Sequence, residues 1–212
     1  MIYLDHAATT PVAREVADTM YDVLLNGSGN PSSQYPYGAA AKKRLEADRA
    51  VIAAALGCKP DELYFTSGGT ESDNWAIRLA AHQNRRVGKH IITTAVEHSA
   101  VLEPCKQLEQ EGYTVTYLAP DRQGNIPAQQ VADALREDTA LVSVMLVNNE
   151  TGCVFPVGEI ARLLRDLGSK ALLHTDAVQA FLKLPFRADT QRDAVQESGG
   201  IRRVCQHRPQ DI

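Results

Sequence analysis

The sequence predicts an α/β fold, a largely parallel and doubly wound sheet with helices on both faces. Three observations carry that prediction. From about residue 63 onward, short apolar runs alternate with amphipathic stretches of helical period. The most apolar run, Leu141-Val142-Ser143-Val144-Met145-Leu146-Val147, is hydrophobic on both sides of the pleat, as strands covered on two faces are. Glycine or proline punctuates the junctions, as at Gly57, Pro127 and Gly168.

In chain order, a short apolar start (Ile2 to Leu4) precedes a helix over 11–25, where Val12, Val16, Met20 and Leu24 recur every fourth residue. Residues 26–38 carry Gly, Pro, Ser and Asn, which is loop chemistry. A second helix is expected over 39–56, with Leu45, Ile52 and Leu56 on one side and Gly57 to end it. The alternation then gives strands at 63–66, 90–94, 114–118, 140–147 and 171–175. Between them lie helices at 70–86, 99–111, 127–137 and 157–167. The domain reading is an N-terminal arm and helix (1–30), a cofactor-binding large domain (31–190) and a tail (191–212) without countable periodicity.

A chain of 212 residues buries roughly 70% of its unfolded surface, enough for a sizeable core. The net charge of -4 argues against nucleic-acid and anionic-membrane partners and favours small molecules. Cys58, Cys105, Cys153 and Cys205 form no CxxC pair and have no His at ligand spacing, so no metal site is expected. The N-terminus lacks a signal pattern and no run is long enough to span a bilayer, so a cytoplasmic location is expected.

In open parallel sheets ligands bind beyond the carboxyl ends of the strands, so the turns there are the candidate site. Thr66-Ser67-Gly68-Gly69-Thr70 passes from a strand into a helix, where glycines and free helical N–H groups suit a phosphate. The alternative is a capping box of Thr70 and Asp73. His98, ending one strand and starting a helix, is either a capping residue or a group that stacks on a flat ring and moves a proton. Asn148 and Asn149 need partners, either in their own loop or in a ligand oxygen such as a pyridine phenolate. Asp176 is a carboxylate at a buried strand end, either an N-cap or the partner of a protonated pyridine nitrogen.

Taken in order, these segments resemble the class V aminotransferase group of fold-type I pyridoxal phosphate enzymes, and within it the cysteine desulfurases. The resemblance covers roughly residues 1–190 and rests on Tyr3-Leu4-Asp5-His6-Ala7-Ala8-Thr9-Thr10-Pro11, Gly29-Asn30-Pro31-Ser32-Ser33, and Phe65 to Asn74. It continues through Glu97-His98, Val147-Asn148-Asn149-Glu150-Thr151-Gly152 and His174-Thr175-Asp176-Ala177-Val178-Gln179. It implies that Gly69 and Thr70 hold the phosphate of pyridoxal 5′-phosphate and that His98 stacks on the ring and serves as acid or base. It further implies that Asn149 and Gln179 contact the ring hydroxyl and that Asp176 pairs with the ring nitrogen. The implied reaction removes sulfur from L-cysteine, leaving alanine and an enzyme persulfide, in a homodimer that passes sulfur to an acceptor or scaffold protein in iron-sulfur cluster assembly. Selenocysteine lyase is the alternative activity, and a non-catalytic partner of a full-length relative the alternative role.

The pattern departs from the family after Asp176. The family's His-Lys motif, its sulfur-accepting cysteine, its substrate-binding arginine and its small C-terminal domain are all expected further on, whereas the last lysine here is Lys183, preceded by Phe-Leu. Codons chosen for 201–212 give, one base later, Phe-Val-Val-Ser-Ala-Ser-Thr-Ala-His-Lys-Ile, so a frameshift in the tail is one expectation. The other is the in-frame echo at Asp193-Ala194-Val195. On either reading the 212 residues are expected to lack desulfurase activity.

Overall fold

The computed structural model describes residues 2–185, 187 and 188, so the tail 191–212 lies outside the described residues. Helices α1 (Arg14–Asn26) and α2 (Pro36–Leu56) come first. After them run α3 (Gly69–Gln83), β1 (His90–Thr94), α4 (Ser99–Gln110), β2 (Thr114–Leu118), α5 (Ala128–Ala134), β3 (Thr139–Ser143), α6 (Val157–Asp166) and β4 (Leu172–His174). The four strands are all parallel, in the order β2-β1-β3-β4.

The pleat divides the core into two. Ile91 and Leu141 point to one face, where they pack with Ile77 and Ala81 of α3 and Val101, Cys105 and Leu108 of α4. Their neighbours Ile92 and Val142 point to the other, against Val131 of α5 and Ile160 and Leu164 of α6. Adjacent residues of one strand thus serve opposite layers, and both faces of the sheet are covered. The pairing of β3 with β4 puts Ser143 beside His174. Beyond it, Val144 N donates to His174 O at 3.1 Å and Leu146 N to Asp176 O at 2.8 Å, which holds the two strand ends together.

Several element boundaries differ from expectation for local reasons. The helix expected from residue 39 starts at Pro36, whose locked φ suits a first helical turn. Its end is as expected: Gly57 adopts φ 69° and ψ 39°, and its N–H reaches Ala53 O and Ala54 O. Residues 63–66 form no strand. Leu63 is buried, but its carbonyl accepts from the Arg49 guanidinium at 2.6 Å, so a side chain does the work of a ladder. The strand expected over 140–147 ends at Ser143, and Val147 instead forms an antiparallel bridge with Val154. Helix α1 has the expected period but buries no residue, and Met20 and Leu24 are exposed. No helix among the described residues is long and apolar enough to cross a membrane.

Candidate functional site

A cavity of about 610 Å³ lies beyond the carboxyl ends of β1, β3 and β4. Gly69, Thr70, His98, Asn149, Asp176 and Gln179 all line it, together with Ala7, Ala8, Ser67 and Gly68. The sheet register brings these residues together from segments far apart in sequence.

The N-terminus of α3 forms part of the cavity wall. Gly68 is its N-cap residue and supplies no side-chain cap. A Cβ built there would meet no atom within 4 Å, so glycine keeps the backbone open to an incoming group. The Thr70–Asp73 capping box is not what closes this turn. Instead Glu71 turns back on Ser67, accepting from its N–H at 2.7 Å and its hydroxyl at 2.6 Å. The hydroxyl and then the backbone bond hold the Glu71 carboxyl below its ordinary pKa. Asp73, 1% exposed, lies at the cavity wall and meets His174 Nε2 at 3.4 Å.

His98 takes the capping role weighed for it and also stands at the cavity. Its Nδ1 accepts from Ala100 N at 3.1 Å and so caps α4, while its ring borders the cavity. An accepting Nδ1 places the proton of the neutral ring on Nε2, the atom left to meet a ligand. The two asparagines divide their work. Asn148 is buried and bonded to its own loop, its Oδ1 accepting from Glu150 N at 3.0 Å and Thr151 N at 2.8 Å, its Nδ2 donating to Val96 O at 2.9 Å. Asn149, one residue on, lines the cavity.

Asp176 is 7% exposed, and its Oδ1 accepts from Val178 N at 2.9 Å in a turn rather than at a helix start. Burial and the nearby Asp73 charge push its carboxyl pKa up, against the Val178 bond and the charges of His174 and His98. A cation at this carboxylate is therefore the ligand that would relieve most strain on its charge. Gln179 reaches the N-terminal arm, with Nε2 donating to Ala7 O at 3.4 Å and Oε1 accepting from Lys183 Nζ at 2.9 Å. Lys183 is exposed and absent from the cavity lining, as is every other lysine of the chain.

Behind the lining lies a residue that the sequence did not single out as a site residue. Glu97 is 5% exposed, and its Oε1 accepts from Thr94 Oγ1 and Met145 N, both at 2.9 Å. Its Oε2 is buried with no hydrogen-bond partner among the described residues. Burial, which outweighs those bonds, raises its pKa from 4.5 to about 7. A Glu beside His98 at a predicted strand end was the available signal, but only the tertiary packing shows the side chain turned inward. Among the described residues no group of three or more His, Cys, Asp or Glu could hold a metal ion.

The residues present fit a phosphorylated pyridine. The cavity offers a glycine turn at a helix N-terminus for an anion and a buried carboxylate for a ring cation. His98 adds an imidazole to the same lining.

Comparison with known proteins places this site in context. The family model described as aminotransferase class-V matches residues 2–198, which runs past residue 190 and includes Asp193-Ala194-Val195. The chain is similar to the cysteine desulfurase IscS of Methanosarcina thermophila, 46% identical over 185 residues, which are 87% of this chain and 45% of that protein. It is also similar to the cysteine desulfurase IscS of Dictyoglomus turgidum, 45% identical over 89% of this chain and 47% of that protein. Among solved structures it resembles one titled SspA in complex with cysteine, with a TM-score of 0.84 and 38% identity over 91% of this chain and 55% of that one. The chain spans about half the length of the curated relatives it matches.

Proposed function

The chain belongs to the aminotransferase class V family, and from that premise we propose that its cavity holds pyridoxal 5′-phosphate in the manner of a cysteine desulfurase. The observation that carries the proposal is the convergence of Gly69, Thr70, His98, Asn149, Asp176 and Gln179 on one cavity that joins a glycine turn at a helix N-terminus to a buried carboxylate. Gly69 and Thr70 would bind the phosphate through backbone N–H groups and the Thr70 hydroxyl at the positive end of α3. His98 would cover one ring face and hold or move a proton at Nε2. Asn149 and Gln179 would donate to the ring hydroxyl, and Asp176 would hold the proton on the ring nitrogen. When bound, the cofactor supplies an electron sink for a carbanion next to an amine.

The substrate we propose is L-cysteine, with sulfur removed to leave alanine and a persulfide. The relatives named as cysteine desulfurases and the neighbour titled as a cysteine complex support that choice. Since no lysine of the 212 residues lines the cavity, the chain itself is expected to hold the cofactor without covalent attachment and to release no sulfide from cysteine. Sulfide release by the purified chain would contradict that. A cytoplasmic homodimer is part of the same proposal. The exposed Ile2, Leu4, Leu24 and Leu25 of the arm and α1 supply apolar surface for a second copy or a longer relative, and sedimentation of the chain alone and mixed with a full-length desulfurase distinguishes the two.

The direct test is titration of the purified chain with pyridoxal 5′-phosphate, followed by cofactor absorbance and by Trp75 fluorescence from α3. Asp176→Ala is expected to weaken binding roughly ten- to a hundredfold, the range of a hydrogen bond to a charged group. Absence of saturable binding by the unmodified chain would overturn the reading.

A further inference from the structure

One buried His–Asp contact at the cavity wall has no part in the contacts proposed above. His174 ends β4, and its side chain is 12% exposed. Its ring is held at both nitrogens: Nε2 lies 3.4 Å from Asp73 Oδ1 on α3, and Nδ1 lies 2.9 Å from Ser143 Oγ at the end of β3. Ser143 is fully buried and Asp73 is 1% exposed. Both ring nitrogens thus face oxygens, which leaves room for an imidazolium that donates to Asp73 and to Ser143, whose hydroxyl can accept as well as donate.

The surroundings make that charge consequential. Three buried carboxyl groups, Asp73, Glu97 and Asp176, come from three separate segments to the same strand ends. Burial alone disfavours a cationic His174, but the hydrogen bond and charge of Asp73, aided by Asp176 and Glu97, outweigh it and raise its pKa. For Asp176 the balance runs the other way. Burial and Asp73 favour its neutral form, while His174 and His98 favour its carboxylate. Two carboxylates so placed without an intervening cation would share a proton.

We propose that His174 and Asp73 form a charge-neutral positioning pair, oriented by Ser143, that holds Asp176 as the carboxylate and so makes the cavity select rings carrying a protonated nitrogen. The pair acts through Asp176: Asp73 borders the cavity, and His174 is not among its lining residues. The proposal rests on the cofactor reading given above.

The test compares two probes, pyridoxal 5′-phosphate and its 1-deaza analogue, which has carbon in place of the ring nitrogen. Dissociation constants at pH 7 are measured for the 212-residue chain and three variants. The unmodified chain is expected to prefer the nitrogen-bearing probe by about tenfold or more, the worth of a charge-assisted hydrogen bond. His174→Gln keeps donors toward Asp73 but removes the cation, and the preference is expected to fall to about threefold or less. Asp73→Asn added to His174→Gln leaves Asp176 as the carboxylate facing the ring, so the preference is expected to return. A purely structural role predicts the opposite, since the double variant would be worse than the single one. Ser143→Ala is expected to lower the preference without abolishing it.

The proposal fails if His174→Gln weakens both probes equally, or if the double variant does not recover the preference. A separate readout needs no cofactor: the ring nitrogen chemical shifts of His174 at pH 7 in isotopically labelled protein. Imidazolium shifts are expected, and a neutral ring would overturn the pair whatever the probes do. Binding of neither probe alongside an imidazolium signal would refute the cofactor reading and the selectivity while leaving the ion pair measured.

Discussion

Replacing Glu97 by Gln should remove a pH dependence of stability that the wild-type chain owes to one buried carboxyl. Burial raises the Glu97 pKa from 4.5 to about 7, overriding the bonds from Met145 N and Thr94 and the charge of His174. Between those two pH values the folded protein keeps a proton that the unfolded chain has released, so stability falls as pH rises. At about 1.4 kcal/mol per pH unit, the loss across the interval is roughly 3 kcal/mol, and above the folded value it levels off. Gln keeps the oxygen that accepts from Met145 N and Thr94 Oγ1 and stays neutral throughout. Urea unfolding of both proteins from pH 4.5 to pH 8 measures the effect as a difference, which cancels every group the two share. The Gln variant is expected to match the wild type near pH 4.5 and to exceed it by about 3 kcal/mol at pH 8. A constant difference across the range would refute the assignment of this carboxyl as buried and neutral.

Asn148→Ala should disorder the turn that presents Asn149, because Asn148 Oδ1 gathers Glu150 N, Thr151 N and Thr151 Oγ1. A loss of about 1–3 kcal/mol in stability is expected from urea unfolding, with weaker pyridoxal phosphate binding by the folded variant. Cys105 is fully buried, and burial with the charges of Glu97 and Glu109 raises its thiol pKa to about 12, so it should resist iodoacetamide at pH 8 until urea unfolds the chain. Peptide mapping after alkylation should show Cys58 and Cys153, both half-buried, modified before Cys105. Ile160→Ala on α6 empties a fully buried position between α6 and the sheet and should cost about 2–5 kcal/mol, read from the unfolding midpoint.

Most of the sheet was legible because each strand and helix carries its own signal. The strands at His90–Thr94 and Thr114–Leu118 match the expected bounds, since apolar β-branched residues stop there at polar or turn residues. Residues 63–66 carry the same composition without a partner strand, and whether a strand exists is decided by the ladder beside it rather than by its own side chains. Likewise the fourfold period of α1 predicted a helix correctly but not what the helix would touch, and its apolar stripe stays exposed.

For the site, the sequence by itself determined which chemical groups stand after the strands. In a parallel sheet every strand end faces the same edge, so Gly69, Thr70, His98, Asn149, Asp176 and Gln179 could be assigned to one place before any coordinates. Only the tertiary structure decided how each group is spent. Adjacent Asn148 and Asn149 are alike in sequence, yet one is consumed by its loop and the other faces the cavity. Asp73 looked like half of a capping box, but the packing of α3 on the sheet turns it to His174, while Ser67 and Glu71 close the turn in its stead. Glu97 became a buried, neutral-leaning acid because the packing takes it out of water, against the bond from Met145 N just beyond β3. Charge in a protein interior is set by neighbours brought from distant parts of the chain, and a linear pattern names the residues without naming those neighbours.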